Sequence, residues 1–255
     1  MVAFYLPGGV PIYTFALLLG GATSLGLAWA ALNSRRKQVI PVLNAGLSAL
    51  AGGIVGGWLA YEAANLGYFR THGLEAAHIY SGGLAWPGTL AGGLLGLGLY
   101  AWLSGYPLGA LADRLIPLGA LVAASAWIAC WLDGCAYGVA SRLWWALPAQ
   151  DEWGVWEHRV PVQLIGALLT LGIAWFVEWL RPRLQFPGQA ALLALLLFSL
   201  MMFALSWLRQ DATPLAGGLR LEAWCALIFA GLFGGALLAT IWGERKRSMY
   251  GKTQS

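Results

Sequence analysis

The chain has 255 residues, of which 59% are hydrophobic and 10% charged, with a formal net charge of +4. A soluble domain carries about 25% charged residues, and the mean hydropathy here is +0.67. A water-soluble enzyme is therefore excluded. So is a nucleic-acid-binding surface, because the basic residues sit in short segments beside apolar runs.

Apolar runs long enough to cross roughly 30 Å of hydrocarbon recur along the chain. They predict an all-α integral membrane protein of seven spans, near residues 12–32, 42–62, 86–104, 113–133, 162–180, 188–208 and 222–243. The alternation of barrel strands is not seen. The first run has its positive cluster after it rather than before it, so it reads as a span and not as a secretory signal. No polar linker divides the chain, which reads as a single domain over residues 1–255.

Glycine numbers 35 residues, well above the usual share of about 7%. Much of it falls in small-xxx-small patterns: Gly52/Gly56, Gly53/Gly57, Gly88/Gly92/Gly96 and Gly231/Gly235. Such spacing lets helix backbones approach closely where lipid supplies no hydrophobic drive.

Ten of the 15 basic residues fall on one side of the predicted spans: Arg35, Arg36, Lys37, Arg114, Arg181, Arg183, Arg245, Arg247, Lys246 and Lys252. The positive-inside rule then puts the N-terminus outside and the C-terminus in the cytoplasm. Two longer loops, 63–85 and 134–161, lie on the outer side. The second carries Trp144, Trp145, Trp153 and Trp156 among charges, and reads as a lid or lipid-facing helix, or as a surface loop on headgroups.

Ionisable groups near span ends are few. Glu178 is placed to pair with Arg181, and Asp113 beside Arg114 reads as structural. Glu62 and Asp133 stand at outer ends, where a site would face away from the cytoplasm. Arg209, next to Asp211 after the sixth span, reads either as an interfacial anchor or as a phosphate ligand, since its planar fork matches a phosphodiester. Cys130 and Cys135 are five apart; a disulfide between them requires the helix to break near Gly134, and otherwise they are small buried residues. Membrane thiol-redox chemistry at this pair is a further reading. His72, His78 and His158 show no ligand spacing, no metal or cofactor motif is present, and no nucleophilic serine motif stands out.

Several short motifs then fall in one order. Pro11-Ile12-Tyr13 opens the first span, and Gly56-Gly57-Trp58-Leu59-Ala60-Tyr61 closes the second. Tyr80-Ser81-Gly82-Gly83-Leu84-Ala85-Trp86-Pro87-Gly88 leads into the third, and Asp113 and Pro117 open the fourth. Trp127 to Cys135, then Tyr137-Gly138, end the fourth; Arg159-Val160-Pro161-Val162-Gln163-Leu164 and Trp207-Leu208-Arg209-Gln210-Asp211 follow.

This collinear set resembles the prolipoprotein diacylglyceryl transferase family along nearly the whole chain. The resemblance implies a multi-pass protein of the bacterial inner membrane. It also implies phosphatidylglycerol as phospholipid donor and a lipobox-containing prolipoprotein as acceptor, with no cofactor. By the same resemblance Tyr13 is a catalytic candidate, and Asp133, which stands where the family has an asparagine, is the other as the best remaining base. Arg209, Gln163, Tyr61, Gly88 and Gly138 are the lipid-binding ones. Three positions depart from the family pattern: Trp58 stands at the arginine of its Gly-Gly-Arg-x-Gly-Tyr motif, Pro87 at its histidine and Trp127 at its signature arginine. An inactive lipid-binding or assembly subunit on the same scaffold is the alternative that these replacements imply.

Overall fold

The computed structural model describes residues 2–5, 11–72 and 83–252. His78 and the Tyr80-Ser81-Gly82 lead of the third motif lie outside them. The chain divides into two compact units, one of Leu27–Leu115 and one of Met1–Gly26 with Ile116–Ser255.

The Leu27–Leu115 unit holds a 3-10 turn at Arg36–Gln38, then α2 (Val39–Ala64), α3 (Leu66–Phe69), α4 (Trp86–Ser104) and α5 (Leu108–Arg114). Its core is the α2–α4 pair. Gly52 and Gly56 of α2 lie against Gly88, Gly92 and Gly96 of α4, so close that a Cβ on Gly56 would stand 2.8 Å from Gly92 Cα. Backbone lies on backbone here, and dispersion over that seam substitutes for a hydrophobic drive. Pro87 sits in the first turn of α4, where its missing N–H removes a donor the helix cannot satisfy anyway. Gly105 ends α4 at φ 69°, a left-handed cap that favours glycine.

The second unit starts with β1 (Val2–Tyr5) antiparallel to β2 (Pro11–Tyr13), then takes in α1 (Thr14–Leu32) as far as Gly26. Next come α6 (Ile116–Asp133), the hairpin β3 (Leu147–Gln150) and β4 (Trp156–Arg159), α7 (Val162–Leu180) and α8 (Gln189–Ser206). A second hairpin, β5 (Leu215–Ala216) and β6 (Leu219–Arg220), leads into α9 (Leu221–Lys252). Within the unit α6 packs on α7, α7 on α8 and α8 on α9.

Among the described residues, six helical segments have the length and composition to cross a membrane: Thr14–Leu32, Arg36–Ala64, Ile116–Asp133, Val162–Arg183, Gln189–Ser206 and Leu221–Gly243. The chain is an all-α membrane protein of multi-pass character. The expected third span coincides with α4, a helix of 19 residues. Its glycines, with Pro87, Thr89, Trp86 and Trp102, make it less apolar than the other six.

Four expectations are corrected. Tyr13 does not begin the first span but closes β2, opposite Val2, and the helix starts at Thr14. The fourth span does not begin at Asp113: α5 ends at Arg114, and α6 starts afresh at Ile116. The Trp-rich 134–161 loop contains no helix and folds as a β-hairpin that leaves Trp144, Trp153 and Trp156 exposed. Gly231 and Gly235 meet nothing within 4 Å, so among the described residues they form no packing seam; Gly234, instead, touches Leu196.

Candidate functional site

The richest polar cluster lies in the second unit, at the ends of α6 and α8. It forms because α6 stops at Asp133. Gly134 takes φ 75°, and Cys135 N–H donates to Cys130 O at 3.0 Å. That turn brings the two cysteines to a Cα separation of 4.6 Å, and they form a disulfide. The preferred reading of them as small buried residues is thereby corrected, by the helix break that the pairing required.

The segment after the turn is extended and held on both edges. Val139 N–H donates to Leu208 O at 2.9 Å, and Gln210 N–H to Tyr137 O at 2.9 Å. On the other edge, Val160 N–H donates to Val139 O at 3.0 Å. Gly138 pairs with Arg209 across one edge, and Ala140 with Arg159 across the other. Gly138 permits this because any side chain there would strike the Val160 carbonyl and Val162.

Two arginines are thus fixed beside one strip of backbone, and both are engaged. Arg209 grips Asp211 with both arms, Nε to Oδ1 at 2.9 Å and Nη2 to Oδ2 at 2.6 Å, while Nη1 donates to Glu222 at 2.7 Å. Its side chain is 9% exposed. Carboxylates fill the fork of its guanidinium. Burial opposes its charge, but the hydrogen bond to Asp211 and the charges of Glu222 and Asp211 outweigh that, and its pKa lies above the ordinary arginine value. Arg220 also pairs with Asp211, at 2.9 Å. The Gly217-Gly218 turn of the β5–β6 hairpin, both residues at positive φ, carries Arg220 there.

Arg159 is 4% exposed and still more crowded. It pairs with Glu157 at 2.8 Å and Asp151 at 3.3 Å, and donates to Gln210 Oε1 at 3.2 Å. It also stacks 4.6 Å over the Tyr137 ring. Asp151 Oδ1 in turn accepts the Trp153 and Val155 N–H groups, which shapes the hairpin turn. Burial pushes the Tyr137 hydroxyl above its ordinary pKa, and the charges of Glu152 and Asp151 add to that against the opposing Arg159.

Gln163, in the first turn of α7, is 1% exposed. Its amide donates to Cys135 O at 2.9 Å, while its Oε1 is buried with no hydrogen-bond donor among the described residues. Asp133 is half-buried at the end of α6 and takes part in an interaction of its own. Tyr13 is 39% exposed. Trp127 is buried with its indole against Gly166 of α7, in a slot that any side chain at 166 would close.

The remaining candidates belong to the Leu27–Leu115 unit. Gly88 lies in the α2–α4 seam against Gly56 and Ala60. The Tyr61 ring covers the Gly83 backbone and meets Phe69 edge-on at 6.1 Å. Ala85 N–H donates to Gly57 O at 3.0 Å, which ties the start of α4 to α2.

Sequence reasoning found Arg209, Gln163 and Gly138 but missed Arg159, Asp151, Arg220 and Glu222 as members of one network. The usable signals were local: Arg159 four residues before Gln163, and Glu222 in the first turn of the last helix.

Apolar spanning helices around a buried arginine–carboxylate network define a polytopic membrane protein with a polar cluster at its helix ends. A family model described as prolipoprotein diacylglyceryl transferase matches residues 1–240. The chain belongs to that family. It is similar to the phosphatidylglycerol–prolipoprotein diacylglyceryl transferase of Thermosynechococcus vestitus, 25% identical over 89% of this chain and 90% of the relative. A transferase of the same name from Clostridioides difficile is 28% identical over 96% of each chain. One from Streptomyces coelicolor is 28% identical over 94% of this chain and 71% of the relative.

Proposed function

We propose that the protein transfers the diacylglyceryl group of phosphatidylglycerol to the cysteine thiol of a lipobox-containing prolipoprotein, at the outer face of a bacterial inner membrane. The family match over residues 1–240 carries this reading. In it the chain crosses seven times, with α4 as the third span, the N-terminus outside and the C-terminus in the cytoplasm.

The transfer forms a bond from the thiol sulfur to the glyceryl carbon and breaks that carbon's bond to the phosphate oxygen. Phosphoglycerol leaves with the bonding electrons. Asp133 takes the thiol proton, and Tyr13 orients the acceptor. Arg209 holds the phosphate, exchanging one carboxylate for it, because a phosphodiester fits the same fork. The unpartnered Gln163 Oε1 accepts a hydroxyl of the glycerol headgroup. Tyr61 and Gly88, in the Leu27–Leu115 unit, and Gly138, in the other, are the remaining lipid-binding candidates.

A second reading, lipid binding without turnover, draws on Pro87 and Trp127. Neither supplies a proton acceptor or a guanidinium, and Trp127 is packed against Gly166. Incubation of purified protein with phosphatidylglycerol vesicles and a lipobox peptide separates the two. The transferase reading expects a peptide heavier by one diacylglyceryl group and a rate about 10²–10⁴ lower in Asp133→Asn. Lipid retained without any modified peptide supports the non-catalytic reading instead.

A further inference from the structure

We propose a second lipid site in the Leu27–Leu115 unit, built for the headgroup of an anionic glycerophospholipid and separate from every residue assigned above to transfer. A cleft of about 220 Å³ opens between the Arg36–Gln38 turn, the start of α2 and the α4–α5 connection. Its walls are apolar, from Pro41, Val42 and Ala110, and its polar groups are few: Gln38, Tyr106 and Arg114. That is the usual composition of a small-ligand site, whereas the volume is below the roughly 300–1,000 Å³ that encloses a whole ligand. The cleft suits a phosphate and glycerol headgroup, with the acyl chains lying outside along the helices.

Charge selects the occupant. Arg114 lines the cleft, and Arg35, Arg36 and Lys37 immediately precede Gln38, all three exposed. None of the four takes part in a salt bridge among the described residues. This sets them apart from Arg159, Arg209 and Arg220, which are all paired with carboxylates. Asp113, the one acid nearby in sequence, is buried, has its own interaction and does not line the cleft. Basic residues at a span end attract anionic headgroups, and basic pockets between helices hold them.

Gln38 adds a second feature. Its Oε1 is buried and has no hydrogen-bond donor among the described residues. A headgroup that carries hydroxyls supplies that donor while its phosphate meets Arg114. A choline headgroup supplies neither a net negative charge nor a hydroxyl.

The test is site-directed crosslinking in membranes. Tyr106 is replaced by benzoylphenylalanine in the full chain, which is reconstituted in vesicles of equal parts phosphatidylglycerol and phosphatidylcholine. After irradiation, the lipid adduct is identified by mass spectrometry. The expected adduct is phosphatidylglycerol, in excess over phosphatidylcholine. Arg114→Gln and, separately, Arg36→Gln each reduce that excess about fivefold. Asp133→Asn, which slows transfer, leaves it unchanged, so failure of this site and failure of the transfer reading are distinguishable. The same pattern is expected with the photoreactive residue at Ala110. Equal adducts of both lipids, an excess that survives Arg114→Gln and Arg36→Gln together, or no adduct at either position overturns the proposal.

Discussion

At the level of single residues, the arginine network decides what can be removed. Arg209 and Asp211 are 9% and 13% exposed at the side chain. Arg181 and Glu178, by contrast, are 37% and 33% exposed. Removing one partner of a buried pair strands the other charge and costs about 3–5 kcal/mol, whereas an exposed pair contributes about 0–1 kcal/mol. Arg209→Gln is therefore expected to lower stability in detergent by about 3 kcal/mol, read as a fall in thermal midpoint, and Arg181→Gln by less than about 1 kcal/mol. Equal midpoints for the two variants contradict the assignment. Tyr137 gives the pH dependence. Its folded-state pKa is raised by burial first and by the neighbouring carboxylates second, so the folded protein keeps the proton longer than the unfolded chain. The stability tied to it is intact below the unfolded value of about 10 and is lost as pH rises through the folded value. The midpoint should fall more steeply above pH 10 in the parent chain than in Tyr137→Phe, which has no proton to lose.

Between elements, glycine sets the distances. A Cβ on Gly92 would run into the backbone of Gly52 and Gly56, while one on Gly98, further along α4, meets nothing within 4 Å. Overpacking costs about 1–3 kcal/mol where neighbours can shift, and two backbones cannot shift like side chains. Gly92→Leu should destabilise the protein by at least about 2 kcal/mol, and Gly98→Leu should leave the thermal midpoint within about 2 °C, since a surface change is worth under about 0.5 kcal/mol. This seam was legible in the sequence because its period is local, four residues on one helix face. The Gly231/Gly235 spacing looked the same, yet a Cβ at either meets nothing within 4 Å among the described residues, since spacing alone does not say which face has a neighbour. The Trp-rich loop was open between a lipid-facing helix and a surface loop; the fold takes no helix there, because Asp151 closes a hairpin turn by accepting two backbone N–H groups. The polar cluster was half legible. Arg209 and Gln163 stood out by motif, yet Arg159 meets Gln210 from 51 residues away, a pairing that only the folded strip around Gly138 creates. Trp127 shows the limit of motif reading from the other side. Its position was known only by what it lacks, while the fold gives it a packing partner in Gly166.

For the whole molecule, crossing number and charge placement are tied by parity. Among the described residues six segments have the length and apolar character to span, and an even number would put both termini on one side. Ten of the 15 basic residues fall on one side only if α4 also crosses. Without it, the Arg35–Lys37 cluster would lie opposite the basic residues that follow α7 and α9, against the charge bias that orients spans. Gly88, Gly92 and Gly96 lower the hydropathy of α4 and also seat it on α2. Single cysteines, placed in a chain with Cys225 replaced and the Cys130–Cys135 disulfide kept, turn this into a measurement. Thr71→Cys, before α4, should react with a membrane-impermeant maleimide in intact spheroplasts. Ser104→Cys, at its end, should react only after lysis, as should Lys37→Cys. If Ser104→Cys and Thr71→Cys show the same accessibility, α4 does not cross, the chain has six spans, and the positively charged turns cannot share one face of the membrane.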